Sequence, residues 1–261
     1  MFTPRQIEIL EIARGKGHVN VELLSSMFDV TPQTIRKDLN DLCNIGELNR
    51  VHGGAVFPSN TVNLAYLARR EISADGKSQI GSTVARMIPD DASVILNIGT
   101  TTEQVARGLS SHKGLMVITN NLNVAHILSE APGIELVVAG GMVRKSDGGI
   151  VGEAAIDLIR QFKVDYAVIG ASAIDEEGSL LDFDYREVRV SKAIMEQARK
   201  TILVADHTKF ERKAPVEIGK LCDVDMFITD VLPPKAIQQY CREAEVEVVV
   251  TQTSEQTVAA E

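Results

Sequence analysis

In the stretch TPQTIRKDLN, Thr31, Gln33, Thr34, Arg36, Lys37 and Asn40 carry side chains that can read a double helix. Gln and Asn pair with adenine edges in the major groove, and Arg or Lys reaches guanine or a backbone phosphate. A second set of chemistry-bearing residues lies downstream. NIGTTTE supplies Gly99, Thr100, Thr101 and Thr102; TNN supplies Asn120 and Asn121; AGGMVRK supplies Gly140, Gly141 and Arg144; ADHTKF supplies Asp206 and Lys209. Hydroxyls, amides, an Asp and cations suit a small phosphorylated polyol better than an apolar molecule. A glycine turn leading into a helix N-terminus holds phosphate through main-chain N–H groups without needing net positive charge. No G-x-G-x-x-G occurs, so a dinucleotide fits poorly and no cofactor is expected. "GKS" at 76–78 has the look of a phosphate loop, but Glu71 stands where the first glycine belongs and no strand precedes it.

Residues 1–57 must position the first set. Apolar residues in 3–14 place Ile7, Leu10 and Ala13, with Ile9 alongside, on one helical face, and Gly15 and Gly17 then break the run. A second helix over Val21–Phe28 offers Leu23, Leu24, Met27 and Phe28. The third starts at Thr31 as N-cap with Pro32 in the first turn, and runs to about Ile45, with Gly46 as the stop. Ile35, Leu39 and Leu42 form its buried stripe, while Gln33, Lys37, Asn40 and Asn44 fall opposite, with Arg36 on the shoulder. Two helices joined by Asp29-Val30 make a helix-turn-helix, although a plain helical bundle with a solvated face fits the same pattern. ELNRVHGGAVF (47–57) reads as two strands around Gly53-Gly54, a wing with Arg50 and His52 near its tip.

The second set needs a larger frame. Apolar runs at 93–98, 115–119, 134–140, 165–171, 201–207, 226–229 and 246–250 read as strands, and 102–110, 121–130, 152–162, 184–199 and 233–243 read as helices. That alternation predicts an open, doubly wound α/β sheet, whose ligands bind at the carboxyl ends of the strands. Residues 58–75 read as linker and connecting helix, 76–250 as the sensor, and 251–261 as a disordered tail of low hydrophobicity.

The formal net charge of −9 sits unevenly: residues 1–57 hold six Lys+Arg against seven Asp+Glu, a net of −1, and the acidic remainder lies beyond. DNA binding is therefore compatible with an acidic chain. Cys43, Cys222 and Cys241 lack metal-type spacing, the five histidines are scattered, and no apolar run is long enough for a membrane span. No metal site is expected, no membrane association, and a reducing cytoplasm fits best.

TPQTIRKDLNDL followed by RVHGGAV resembles the winged helix-turn-helix of the DeoR-type bacterial repressors. In that family the segment matching Asn20–Leu39 is the helix-turn-helix, and the His-Gly-Gly wing follows at similar spacing. IGTT, TNNLNVA, AGG, DGGIVGEA, FDYREVR and DHTKF resemble the family's sensor domain, whose fold is similar to ribose-5-phosphate and glucosamine-6-phosphate isomerases. TNNLNVA, SDGGIVGEA and GSLLDFDYREVR are most similar to the branch whose inducer is glycerol 3-phosphate, although Asn97 stands where some relatives have Asp. The resemblance implies a homo-oligomeric repressor, a dimer or tetramer on double-stranded operator DNA, released by glycerol 3-phosphate and without enzymatic activity. Two rival readings stand beside it. One is a phosphosugar isomerase using Asp206, Glu187 or Asp182 as general base, and the other an adaptor whose helix-turn-helix contacts protein.

Overall fold

A computed structural model of the chain describes residues 2–16, 18–45, 47–51, 53–56, 66–210 and 212–251. The expected features at Gly17, Gly46, His52, residues 58–65 of the linker and residues 252–261 of the tail lie outside that set. Two compact units divide the chain, Met1–Ile72 and Ser73–Glu261.

The first unit runs α1 (Pro4–Lys16), β1 (His18–Asn20), α2 (Val21–Phe28), α3 (Pro32–Asn44), β2 (Asn49–Val51), β3 (Gly54–Val56) and α4 (Tyr66–Glu71). Thr31 caps α3 with extended backbone, its hydroxyl accepting the Thr34 N–H at 3.3 Å, and Pro32 follows in the first turn. Asp29 ends α2 at φ 50, the left-handed conformation that Asp tolerates, so the chain turns from α2 to α3 within a few residues. Ile35, Leu39 and Leu42 are fully buried, as the stripe requires, against Ile9, Ala13 and Leu24. The faces of α1 and α2 differ from expectation: Ile7, Leu23 and Met27 are each about half exposed. Gln6 takes the inward position that Ile7 was expected to share, because its amide donates to Asp38 on α3 at 3.3 Å, so the buried face of α1 runs through Gln6, Ile9, Leu10 and Ala13.

The wing strands β2 and β3 pair antiparallel as expected, but β3 also pairs with β1, giving the order β1-β3-β2. Gly54 makes this possible, since a Cβ there would collide with the Val19 carbonyl oxygen. β1 is only three residues long with one buried side chain, Val19, too short to show a period.

The second unit runs α5 (Ala74–Met87), β4 (Ser93–Leu96), α6 (Thr100–Leu109), β5 (Leu115–Thr119), α7 (Leu122–Leu128), β6 (Ile134–Val138), β7 (Met142–Val143), β8 (Ile150–Val151), α8 (Glu153–Ile159), β9 (Val164–Ile169), β10 (Ala173–Ile174), β11 (Ser179–Asp182), α9 (Tyr185–Glu196), β12 (Ala198–Val204), β13 (Val216–Lys220), β14 (Met226–Thr229), α10 (Lys235–Glu243) and β15 (Glu247–Val250). Seven of these strands form one sheet, ordered β15-β14-β12-β9-β4-β5-β6, and every pairing in it is parallel. This is the doubly wound sheet that the apolar runs predict. Alternate residues feed two cores: Ile95, Ala167 and Leu203 on one face, Val94, Leu96, Val168 and Ile202 on the other. The chain builds outward from β4 through β5 to β6, then returns to β9 and builds the other way, so the switch point lies between β4 and β9. The β7–β8 hairpin and a small antiparallel sheet, β10-β11-β13, are additions that the sequence pattern does not announce.

Leu39→Ala is expected to lower the stability of the first unit by about 2–5 kcal/mol, the range for a fully buried Leu whose cavity does not collapse. Urea unfolding followed on that unit checks it; a cost under about 1 kcal/mol would mean that the stripe is not the core.

Candidate DNA-reading face and effector site

On the first unit, Thr31, Gln33, Arg36, Lys37 and Asn40 are exposed, and Thr34 is half-buried. Gln33, Arg36, Lys37 and Asn40 recur at helical spacing on the side of α3 opposite Ile35, Leu39 and Leu42. Thr31 and Thr34 bond each other through their hydroxyls at 2.9 Å. Arg50 lies on the wing as expected, but its guanidinium donates to the Gly54 carbonyl at 2.7 Å and braces the turn. His52 is outside the described residues. The sequence gives no hint of Asp38, which is buried on α3 and accepts from Arg5 Nε at 2.6 Å as well as from Gln6.

On the second unit, the expected effector residues follow successive strands at their carboxyl ends. Gly99, at φ 151, precedes α6, and Thr100, Thr101 and Thr102 fill its first turn, all three buried. The Thr102 hydroxyl lies within 2.8 Å of the Asn97 carbonyl and 2.7 Å of the Gly99 carbonyl, so it fastens the turn rather than facing outward. Asn97 is likewise internal, donating from Nδ2 to Ser191 Oγ at 2.8 Å.

Asn120 and Asn121 end β5, both fully buried. Asn120 Nδ2 donates to the Ile150 carbonyl at 3.2 Å and Asn121 Oδ1 accepts from the Asn123 N–H at 2.9 Å, capping α7. Their other polar atoms, Asn120 Oδ1 and Asn121 Nδ2, are buried without a hydrogen-bond partner. Gly140 follows β6 in open space, and Gly141, at φ 144, packs against Ile150 and the Val151 carbonyl where the hairpin crosses.

Arg144 is engaged by carboxylates from two segments. Its guanidinium grips Asp147 with two bonds, at 2.9 and 2.7 Å, and reaches Asp184 at 3.2 Å and Glu187 at 2.6 Å. It joins the β7–β8 turn to the start of α9. Burial and the Asp182 carboxylate push Glu187 up to about 8, with Arg144 working against them.

Asp206 ends β12 fully buried, and Lys209 follows it on the 3-10 turn His207–Lys209, also buried. Lys209 Nζ is 3.8 Å from Asp206 Oδ2. The partner on the other side is Lys77, which sequence reasoning set aside with the "GKS" stretch: it is 1% exposed, on the first turns of α5, with Nζ 3.7 Å from the same oxygen. Burial opposes the Asp206 charge, but Lys209, Lys77 and the Thr208 hydroxyl and N–H outweigh it and hold the carboxyl down at about 2. A carboxylate so strongly ionised is a poor general base. Asp206 Oδ2 and Thr229 Oγ1, at the end of β14, are again buried without a hydrogen-bond partner. Thr251 Oγ1, after β15 at the same edge, is in the same condition, although buried polar groups are normally satisfied.

Among the described residues no group of three or more His, Cys, Asp or Glu could hold a metal ion, and no helix is long and apolar enough to cross a membrane. Residues 5–61 match the family model described as the DeoR-like helix-turn-helix domain, and residues 72–231 match the DeoR C terminal sensor domain. The glycerol-3-phosphate regulon repressor of Haemophilus influenzae is 44% identical over 94% of this chain and 96% of its own length. The repressor of the same description from Escherichia coli (strain K12) is 44% identical over 91% of this chain and 94% of its own. Among solved structures, ribose 5-phosphate isomerase A from Methanocaldococcus jannaschii aligns over 52% of this chain and 54% of its own, at 16% identity and a TM-score of 0.40.

The two carboxyls of this unit imply opposite pH effects. Asp206, held at about 2, contributes stability that is complete above its ordinary value of 3.8 and is lost as pH falls towards 2. Glu187, raised from 4.5 to about 8, contributes stability that is complete below 4.5 and is lost as pH rises through 8. The sensor's unfolding temperature is expected to fall between pH 6 and pH 9, with a shallower fall in Glu187→Gln; equal slopes in the two proteins would contradict the assignment.

Proposed function

The chain belongs to the DeoR family of transcriptional repressors, and from that membership we propose that it represses genes of glycerol 3-phosphate metabolism and leaves its operator when glycerol 3-phosphate binds the second unit. The family is one of repressors rather than enzymes, and Asp206 locked between two lysines argues against isomerase chemistry. Double-stranded operator DNA lies against α3, with Gln33, Arg36, Lys37 and Asn40 towards the base edges. Thr31 and Thr34, at the helix N-terminus, lie against a phosphate, where free N–H groups and the positive dipole end favour an anion. Arg50 supports the wing. One such helix reads few base pairs, so a homo-oligomer, dimer or tetramer, on a near-palindromic site in the cytoplasm completes the reading.

The observation that supports the effector half is the set of buried atoms without a hydrogen-bond partner at the carboxyl edge of the sheet, Asn120 Oδ1 and Asn121 Nδ2 after β5, together with Asp206 Oδ2, which has only the Lys77 and Lys209 ammoniums beside it at 3.7 and 3.8 Å. A triol phosphate brings hydroxyls to such atoms and a phosphate to the Gly99–Thr101 turn and the Lys77–Lys209 pair. Gly140, with open space around it, borders the same edge. Thr102 and Arg144 act from behind this set, holding the loops in place.

Arg36→Ala and Lys37→Ala are expected to weaken operator binding while leaving the fold intact, since both side chains point away from the core stripe. A base contact costs about 1–3 kcal/mol and relaxes one base pair, whereas a phosphate contact weakens all sequences alike. Electrophoretic titration on promoter DNA from the protein's own chromosomal neighbourhood measures this, and unchanged affinity in the double variant would sink the reading-face assignment.

Lys209→Ala and Thr101→Ala should bind operator normally yet ignore glycerol 3-phosphate, giving a constitutive repressor. Operator affinity with and without saturating ligand distinguishes the outcomes. Variants that respond as wild type does would place the effector elsewhere.

A further inference from the structure

Asp230 directly follows β14 and is 1% exposed. Its carboxylate gathers three groups from two distant segments. The His207 N–H donates to Oδ1 at 2.7 Å, His207 Nδ1 bonds Oδ2 at 2.7 Å, and the Ser73 hydroxyl donates to Oδ2 at 3.0 Å. His207 opens the 3-10 turn that carries Lys209 and directly follows Asp206. Ser73 is the residue before α5 and the first residue of the second unit.

Ser73 departs from helix-start convention in two ways. A serine there ordinarily turns its hydroxyl onto the helix's own free N–H groups from an extended backbone. Ser73 makes no such cap and sits at φ 52, ψ 39, in the left-handed region. A non-glycine residue stays there only when its surroundings hold it, and the bond to Asp230 accounts for both departures. Gly76 leaves room for the pair: a Cβ there would run into the Asp230 carboxylate and sit 2.7 Å from Ser73 Oγ. In the same helix, Lys77 reaches Asp206. The first turn of α5 is thus fixed to the His207–Lys209 turn by two buried carboxylates, Asp206 through Lys77 and Asp230 through Ser73.

We propose that Asp230 is the positioning residue that couples effector occupancy to operator release. This rests on the effector reading above. A phosphorylated ligand that draws Lys77 and Lys209 towards itself shifts the 3-10 turn and the first turn of α5 together. Asp230 passes that shift to Ser73, the first residue of the second unit. In this role Asp230 acts through Ser73 and His207 rather than on either partner, so its removal separates the two affinities from their coupling.

The test uses the full chain as wild type, Asp230→Asn and Ser73→Gly. Glycerol 3-phosphate binding is measured by calorimetry without DNA, and operator affinity is measured with and without saturating glycerol 3-phosphate. Ser73→Gly keeps the left-handed conformation available while deleting the hydroxyl, so its behaviour reports the bond rather than a misfolded helix start. Wild type is expected to lose operator affinity by about 5–150-fold when the ligand saturates, while both variants bind each partner within about threefold of wild type but show a ligand effect below about threefold. Wild-type coupling in both variants overturns the proposal. So does loss of glycerol 3-phosphate binding in Asp230→Asn, which would make Asp230 part of the ligand site. Wild type that does not bind glycerol 3-phosphate overturns the effector reading itself and this inference with it, a result visible before any variant is measured.

Discussion

Parallel pairing is the constraint from which the second unit follows. Two parallel strands cannot be joined by a tight turn, so every pairing needs a crossover that returns the chain to the starting edge. With seven strands in parallel, every strand ends at the same edge of the sheet. The turns after β4, β5, β6, β12 and β14 are consequently collected there, although their residues are scattered along the chain. The inner strands β4, β5 and β9 are largely apolar and feed the two cores, which leaves the strand ends as the place for polar chemistry. The candidate site is a by-product of the topology before it is a property of any one loop.

What could be read in the sequence was whatever is decided locally. The Thr31-Pro32 start and the Ile35–Leu39–Leu42 stripe depend on spacing within one helix, and both appear in the structure. The seven sheet strands were legible because each carries a short apolar run, inner strands such as β4 and β5 buried and the edge strands β6 and β15 only partly so. β1 and the β10-β11-β13 sheet were not, since β1 and β10 are two or three residues long and β11 and β13 take their pairing from distant partners. The same division runs through the site. Glycines and hydroxyls after strands were visible, but Lys77 acquires its meaning only from Asp206, far along the chain. The ion pairs of Arg144 are hidden from a sequence reading for the same reason, because Asp147 is three residues on but Asp184 and Glu187 lie at the start of α9. The acidic residues in RKSD and FDYRE were the available signal.

Acidity also reads differently once burial is known. Asp38, Glu103, Asp147, Asp182, Glu187, Asp206 and Asp230 are all buried, so a good part of the carboxylate count is spent inside the molecule. Several of these groups face Arg5, Lys77, Arg144 or Lys209 at close range, where their charge is largely cancelled locally. A formal charge of −9 therefore says little about the field that a polyanion meets at α3.

The Asp38 anchorage has a consequence for how DNA is met. A recognition helix held only by its apolar stripe can roll slightly about its axis, and each such freedom must be frozen when the groove is filled. Here Arg5 and Gln6 of α1 grip α3 through a buried carboxylate, a directional contact that fixes the helix's rotation as well as its depth. For a helix that reads DNA, such an anchorage would reduce the ordering entropy lost on contact and the room for mismatched sequences to be accommodated by adjustment. Selectivity on a surface anchored in that way would be expressed as fast rejection, in the dissociation rate, rather than as a slow search for fit.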